Sequence, residues 1–226
     1  MSRLSIFVLL VIAPVLAILL ALLGLETLPV NPMGAFLLLV GTAYTAGVVI
    51  VYWIRKERFW EPLVGGTTTQ QEHGNRSFSV VVCGMVAAFY LPPLEYLHAP
   101  EILPRSVSMQ TAGMGLVILG VLLFIWARHS LGSSYSGHIS VTDEQTLVRR
   151  GPYRFIRHPA YTGYFLMAAG LSLGYSSFAG LTAIVILLLP GLIYRMNIEE
   201  RLLIAHFGEA YRQYIRATKR LVPGLW

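Results

Sequence analysis

The segment from Leu147 to Gly163 concentrates side chains that can take part in chemistry. It reads LVRRGPYRFIRHPAYTG and leads directly into an apolar run. Pro159 suits the first turn of a helix, where its missing N–H is not needed, so His158 falls at the helix entry and Tyr161 within the first turn. The backbone N–H groups of a helix start favour an anion, and Arg157 stands beside them. We therefore predict a binding site at this helix entry.

A second group of polar residues follows the last apolar run. Residues 194–201 read YRMNIEER, and on one helix Arg195 and Glu199 are neighbours four residues apart, whereas Glu200 points elsewhere. Two adjacent carboxylates at membrane depth are costly unless they bind a cation or pair with a base, which makes both glutamates candidate site residues. The alternative interpretation is a salt-bridged, solvated helix start.

The arginines of the first segment have a simpler alternative role. Arg149, Arg150 and Arg154 fit membrane anchors that hold the basic side of the protein in the cytoplasm. Anchoring alone does not call for His, Pro and Gly in the arrangement that runs from Arg157 to Gly163. We therefore assign the site to the segment from Arg157 to Gly163, and membrane anchoring is enough to explain the other three arginines.

The elements that must position these residues are membrane helices. The chain has 226 residues, of which 55% are hydrophobic and 12% charged, with a mean hydropathy of +0.63. An ordinary soluble domain carries about a quarter charged residues, so that class is excluded. The single cysteine, Cys83, allows no disulfide within one chain and no cysteine metal site, and no metal is predicted.

Apolar runs predict an all-α, polytopic transmembrane bundle of about six spans, the last two forming a tight hairpin around Tyr175–Ser177. These last two runs are short enough to tilt or to pack as a re-entrant hairpin, and the sequence leaves both possibilities open. A C-terminal amphipathic helix follows, with an apolar face from Leu203 to Tyr214. The six predicted spans are Leu4–Leu25, Met33–Ile54, Phe78–Leu94, Thr111–Ala127, Ala160–Gly174 and Phe178–Tyr194.

The basic residues predict the orientation of these spans. With a cytoplasmic N terminus and six crossings, 16 of the 17 lysines and arginines lie inside, and only Arg105 lies outside. The N and C termini are thus both predicted to be cytoplasmic, and the net charge of +6 needs no nucleic-acid partner. The predicted organisation is four N-terminal helices in residues 1–127, with a cytoplasmic loop near residues 55–77, and a catalytic region in residues 128–226.

About the last hundred residues resemble the isoprenylcysteine carboxyl methyltransferase family and its phospholipid N-methyltransferase relatives. An RHPxYxG element, paired glutamates and an FGxxYxxY tail carry the resemblance. The matching residues are Leu131-Gly132, Ser136, Leu147-Val148, Gly151-Pro152-Tyr153, Arg157 to Gly163, Arg195, Glu199-Glu200, Leu203, Phe207-Gly208, Tyr211, Tyr214 and Pro223.

The resemblance implies an integral membrane enzyme, surrounded by membrane lipids, that transfers a methyl group from S-adenosylmethionine to a lipophilic acceptor, without a Rossmann domain. It places the cofactor between the last membrane helices and the C-terminal cytoplasmic segment. Carried over by position, the catalytic residues are Arg195 and Glu200. The implied cofactor-binding residues are Gly151, Tyr153, Arg157, His158, Pro159, Tyr161, Gly163 and Glu199.

The acceptor chemistry stays open at this stage. A carboxylate acceptor needs no general base, and Arg195 could orient it by a bidentate contact. An amine or thiol acceptor must lose a proton, for which Glu200 or His158 is the nearest candidate. Two alternative functions are an NADPH-dependent enzyme similar to sterol reductases, which share an RHPxYxG-like element, and a non-enzymatic membrane scaffold or transporter.

Overall fold

The computed structural model describes residues 13–55, 69–132, 146–224 and 226, and the chain is helical over most of these ranges. A 3₁₀ helix covers Gly151–Arg154, and a π-helical segment covers Ile184–Leu188. The first part of the predicted span Leu4–Leu25, residues 56–68 of the predicted loop, and Ser136 lie outside the described residues. The eight α-helices in the described part are α1 Ala13–Thr27, α2 Met33–Arg55, α3 Thr69–His98, α4 Val107–Leu131, α5 Pro159–Gly174, α6 Phe178–Ala183, α7 Leu189–Phe207 and α8 Glu209–Ala217.

Three helical stretches in the described residues are long and apolar enough to cross a membrane: Ser79–His98, Val107–Leu131 and Phe178–Phe207. Shorter apolar helices cover Ala13–Thr27 and Met33–Gly47. The all-helical, membrane-spanning class predicted from the sequence is therefore confirmed, while the number of six spans stays a prediction.

Two predicted helix ends are wrong. Helix α3 continues to His98 with Pro92 and Pro93 inside it, although the proline pair was expected to end it. Neighbouring helices and local adjustment make proline tolerable within membrane helices. Helix α3 begins at Thr69, so residues 69–77 of the predicted loop are helical, and their cytoplasmic position stays a prediction. Helix α4 likewise runs past Arg128 to Leu131, because Gly132, with φ of +55°, is the residue that ends it.

Helices α4 and α5 cross closely through glycines. A Cβ atom built on Gly163 would lie 2.8 Å from the carbonyl oxygen of Gly120, and one built on Gly170 would lie 2.6 Å from that of Gly113. Small residues let helix backbones approach in this way in membrane proteins. The start of α5 is therefore held firmly against α4, which fixes the position of the candidate site element.

The far end of the α5–α6 hairpin is tied to the N-terminal helices by buried polar side chains. The Asn31 amide donates to the carbonyl oxygen of Gly174 at 2.9 Å, and the hydroxyls of Thr27 and Tyr175 are 2.8 Å apart. The Glu95 carboxylate accepts the Ala179 N–H at 2.9 Å. The turn itself occupies the three residues Tyr175 to Ser177 between α5 and α6. These bonds hold the end of the hairpin opposite the candidate site.

Candidate active site

The site begins with a backbone pairing between two segments that are distant in sequence. The Arg157 N–H donates to the Lys219 carbonyl at 2.8 Å, the His158 N–H donates to the Arg220 carbonyl at 3.0 Å, and Ile156 and Lys219 form an isolated parallel bridge. Pro159 has no N–H and starts α5, so the extended pairing stops where the helix begins. The residues after α8 are thereby brought against the entry of α5.

A buried ionic cluster lies beside this pairing, and Glu200 of α7 is at its centre. One carboxylate oxygen, Oε1, accepts from Arg157 Nε at 2.9 Å and is 3.2 Å from His158 Nε2. The other oxygen, Oε2, accepts from Arg220 Nη2 at 2.7 Å. The Glu200 side chain is only 7% exposed. Charge-assisted hydrogen bonds in such a dry setting are short and strong, so α7, the α5 entry and the C-terminal segment are joined at one carboxylate.

Arg157 has a second set of partners at the end of α8. Its Nη1 donates to the Ile215 carbonyl at 3.2 Å and also to the Thr218 carbonyl. The last carbonyls of a helix lack intrahelical partners and carry partial negative charge, which a guanidinium satisfies. Arg157 thus fastens α8 to the start of α5 while it contacts Glu200.

A second hydrogen-bonded set of side chains joins α5 to α7 beside the cluster. The Tyr161 hydroxyl donates to Glu199 Oε2 at 2.9 Å and accepts from Arg195 Nε at 2.8 Å. The rings of His158 and Tyr161 are stacked, with centroids 5.5 Å apart and planes 15° from parallel. The Glu199 side chain keeps 33% of its surface exposed, whereas Arg195 is buried. The arrangement presents an accessible carboxylate, aromatic faces and a guanidinium side by side.

Helix α8 covers the cluster with two tyrosines. Tyr211 is buried, and Tyr214 donates its hydroxyl hydrogen bond to the Tyr153 carbonyl at 2.6 Å. Burial raises the pKa of Tyr211, and the negative charges of Glu200 and Glu199 raise it further. Burial also raises the pKa of Tyr214 to about 12. Both phenols therefore stay neutral at physiological pH and serve as a cover for the cluster.

The structure brings most of the residues named from the sequence together, but it gives the glycines a packing role. Gly163 faces α4, as described above, and a Cβ atom on Gly151 would lie 2.2 Å from the Ser130 hydroxyl oxygen. Gly151 also has φ of +61°, a conformation that disfavours a side chain. Tyr153 and Pro159 are buried. These four residues are packed against neighbouring parts of the protein and determine the backbone geometry around the site.

Gly163 provides a direct test of its packing role. We expect Gly163→Val to lower the free energy of unfolding by about 1–3 kcal/mol, because the added side chain must separate α4 from α5. Gly115→Val is the matched control, since a Cβ atom on that α4 glycine meets no atom within 4 Å. Chemical denaturation in detergent micelles measures both. Unchanged stability of Gly163→Val would contradict the packing role.

Arg220 was missed as a site residue, because it was assigned to the group of cytoplasmic anchors. It follows Glu200 by 20 residues, and nothing in the intervening sequence indicates that the chain returns to α7 after α8. The one available hint was chemical. A carboxylate at membrane depth needs cationic partners, and the basic pair Lys219-Arg220 lies shortly before Pro223 in the C-terminal segment.

The fold and the site together define an all-helical integral membrane protein with a buried ionic site at the ends of its helices. Residues 109–210 match the phospholipid methyltransferase family. The protein-S-isoprenylcysteine O-methyltransferase of Schizosaccharomyces pombe is 31% identical over 170 residues, which cover 73% of this chain and 66% of that protein. The enzyme of the same name from Saccharomyces cerevisiae is 32% identical over 146 residues, covering 61% of this chain and 57% of its own length.

The fold is also similar to that of a solved structure. This structure is that of the eukaryotic intramembrane Ras methyltransferase, an isoprenylcysteine carboxyl methyltransferase, without a monobody. The TM-score is 0.55 at 20% sequence identity, over 92% of this chain and 73% of that chain. In sequence and in fold the chain is thus similar to isoprenylcysteine carboxyl methyltransferases, and it spans 66% and 57% of the length of the two yeast relatives.

Proposed function

We propose that the protein is a membrane methyltransferase that uses S-adenosylmethionine and methylates the carboxylate of a lipophilic, isoprenylcysteine-like acceptor. The names of the two yeast relatives support the reaction class. The observation that carries the proposal is the hydrogen-bonded set of Arg195, Tyr161 and Glu199, which the stacked His158 ring joins to the buried Glu200 cluster. Neither a scaffold nor a simple membrane anchor requires that set.

The chemistry of these side chains fits the methyl donor. S-adenosylmethionine carries a sulfonium, an ammonium, a carboxylate and ribose hydroxyls, so a matching site offers carboxylates or aromatic faces for the cations and donors for the anion. Glu199 provides an accessible carboxylate, and the stacked rings of His158 and Tyr161 provide aromatic faces. We propose that these three residues hold the donor. When bound, it supplies an electrophilic methyl group on a positively charged sulfur.

The charge of the site favours an anionic acceptor. Three arginines and two glutamates leave one net positive charge when His158 is neutral. A carboxylate acceptor balances this charge, whereas a protonated amine would add to it. We propose that Arg195 orients the acceptor carboxylate, because a guanidinium can contact both of its oxygens. The attacking oxygen then needs no general base, and its alignment with the methyl group is the main task of the site.

Glu200 has a different role in this proposal from the catalytic one predicted from the sequence. Its two oxygens already accept from Arg157, His158 and Arg220, so a proton on this carboxylate would break several contacts. We propose that Glu200 positions His158 and the α5 entry. For an amine or thiol acceptor, His158 would be the nearest base.

The membrane arrangement that accompanies this function is the one predicted from the distribution of basic residues. We propose six crossing segments, cytoplasmic N and C termini, and α8 as an amphipathic helix at the cytoplasmic surface that covers residues of the catalytic region 128–226. In support, the exposed side of α8 carries Arg212 and Arg216 while Tyr211 and Tyr214 are buried. The acceptor tail would enter from the lipid phase, and the methyl donor from the cytoplasm.

Ligand binding tests the proposal against the reductase alternative. We expect purified protein in detergent micelles to bind S-adenosylhomocysteine and to show no response to NADPH in isothermal titration calorimetry. The accessible Glu199 carboxylate fits the cationic groups of the methyl donor, whereas it would lie unfavourably against a dinucleotide phosphate. Binding of NADPH without binding of S-adenosylhomocysteine would favour the sterol-reductase-like function.

A further inference from the structure

Arg220 is the residue through which the C-terminal segment reaches the ionic cluster. Its guanidinium donates to Oε2 of Glu200 at 2.7 Å, while Arg157 and His158 both contact Oε1. The two oxygens of this carboxylate therefore have different partners. Contacts to both oxygens fix the carboxylate plane, whereas contacts to one oxygen leave it able to rotate about its terminal torsion.

The backbone of Arg220 contacts the same histidine that its side chain influences. The Arg220 carbonyl accepts the His158 N–H at 3.0 Å, and its guanidinium holds the carboxylate that lies 3.2 Å from His158 Nε2. Main chain and ring of His158 thus both depend on one residue after α8. The hydroxyl of Thr162 donates to the next carbonyl, that of Leu221, at 2.9 Å, which keeps this segment parallel to the start of α5.

Arg220 contacts the Glu200 oxygen that His158, one of the residues proposed to hold the donor, does not contact. Its side chain is 24% exposed, and its guanidinium carbon lies 5.8 Å from the centre of the Trp226 ring. Of the residues proposed to hold the donor, His158 contacts Oε1 of Glu200 and Tyr161 donates to Glu199. The Arg220 guanidinium therefore acts on the His158 ring through Glu200, whereas the Arg220 carbonyl contacts the His158 backbone directly.

We propose that Arg220 is a positioning residue of this site, which fixes the His158 imidazole through Glu200 and thereby sets the affinity for the methyl donor. The part of this inference that concerns affinity rests on the proposed function. The part that concerns the orientation of His158 is independent of any ligand. A buried imidazole held in one orientation by a hydrogen-bonded carboxylate keeps one defined tautomer, which decides whether its other nitrogen donates or accepts.

The first readout is the His158 ring in the ligand-free protein. We suggest ¹⁵N-histidine NMR of the full chain in detergent micelles, with His158→Ala identifying the signal. Arg220→Met keeps the apolar stem and the backbone pairing but removes the charge, and Arg220→Lys restores a charge. We expect the His158 signal to shift in Arg220→Met, to return toward the wild-type position in Arg220→Lys, and to stay unchanged in Arg212→Met, which removes an exposed arginine of α8.

The second readout is calorimetry with S-adenosylhomocysteine on the same variants. We expect Arg220→Met to weaken binding by about tenfold to a hundredfold, the range for loss of a hydrogen bond to a charged group, and Arg220→Lys to recover most of the affinity. If Arg220→Met does not fold, Arg220→Gln, which can still donate one hydrogen bond, replaces it in both measurements.

The two readouts separate the two proposals. An unmoved His158 signal in a folded Arg220→Met protein would overturn the positioning role of Arg220, whatever the ligand data show. A shifted signal in Arg220→Met with no binding of S-adenosylhomocysteine even to the wild type would overturn the proposed function and leave the positioning role supported. A shifted signal with weakened binding supports both.

Discussion

Replacing Glu200 by glutamine is expected to destabilise the protein by about 3–5 kcal/mol, the range for removal of one partner from a buried ion pair. The substitution keeps the size of the side chain but leaves Arg157 and Arg220 without their shared counter-charge. One amide N–H₂ would also face a guanidinium that can only donate. Chemical denaturation in micelles measures the loss, and calorimetry should show that S-adenosylhomocysteine binding is lost with it.

Glu209→Gln is the control for this substitution. Glu209 also pairs with two arginines, Arg212 and Arg216, but its side chain is 57% exposed. Exposed ion pairs contribute little to stability, so we expect this variant to behave like the wild type. Equal stability of Glu200→Gln and Glu209→Gln would show that the buried cluster does not hold α5, α7 and the C-terminal segment together.

Replacing Arg195 by methionine is expected to reduce kcat by about 10²- to 10³-fold, the usual effect of losing one preorganised electrostatic contact to a reacting group. The methionine keeps an apolar stem of similar shape, so the buried position on α7 remains filled. Affinity for S-adenosylhomocysteine should fall much less, because in our proposal Glu199, Tyr161 and His158 hold the donor. Steady-state kinetics with a small S-prenylated cysteine carboxylate as acceptor measures the effect.

Arg195→Lys and Arg201→Met sharpen this test. Lysine keeps the charge but cannot make the two-point contact, so only partial recovery of kcat is expected. Arg201 is an exposed arginine of the same helix, and its loss should leave kcat unchanged. If Arg195→Met kept a normal kcat and lost affinity for S-adenosylhomocysteine, Arg195 would belong to the donor site and not to the acceptor site.

Much of the candidate site could be predicted because its residues carry chemistry that a membrane helix seldom tolerates. His158, Tyr161, Glu199 and Arg195 were each named from residue type and position. In the structure Tyr161, Glu199 and Arg195 form one hydrogen-bonded set, and His158 stacks on Tyr161 while it contacts Glu200. Their pairing was not predictable. On the helix alone, Arg195 and Glu199 were expected to be neighbours four residues apart, and nothing indicated that the Tyr161 hydroxyl bonds to both of them.

The glycines show the opposite case, in which a motif identifies a residue but not its function. Gly163 belongs to the RHPxYxG element and was therefore assigned to the cofactor pocket. In the structure it packs against the backbone of Gly120, 43 residues earlier in the chain. A glycine has no side chain that could indicate a partner, so this packing role emerges only from the crossing of α4 and α5, and the role of Gly163 in the cofactor pocket stays a prediction.

The sequence by itself determined the membrane-spanning helical class and the approximate positions of the helices, because apolar content and proline or glycine signals act locally, within a few turns of one helix. The tertiary structure decided which carboxylate became the centre of the ionic cluster and which arginines surround it. The partners of Glu200 lie 20 to 43 residues away in the chain, and their meeting depends on how α5, α7 and the segment after α8 pack. Such long-range pairing leaves no periodic trace in the sequence, because it is selected by the geometry of helix packing and by the need to neutralise buried charge.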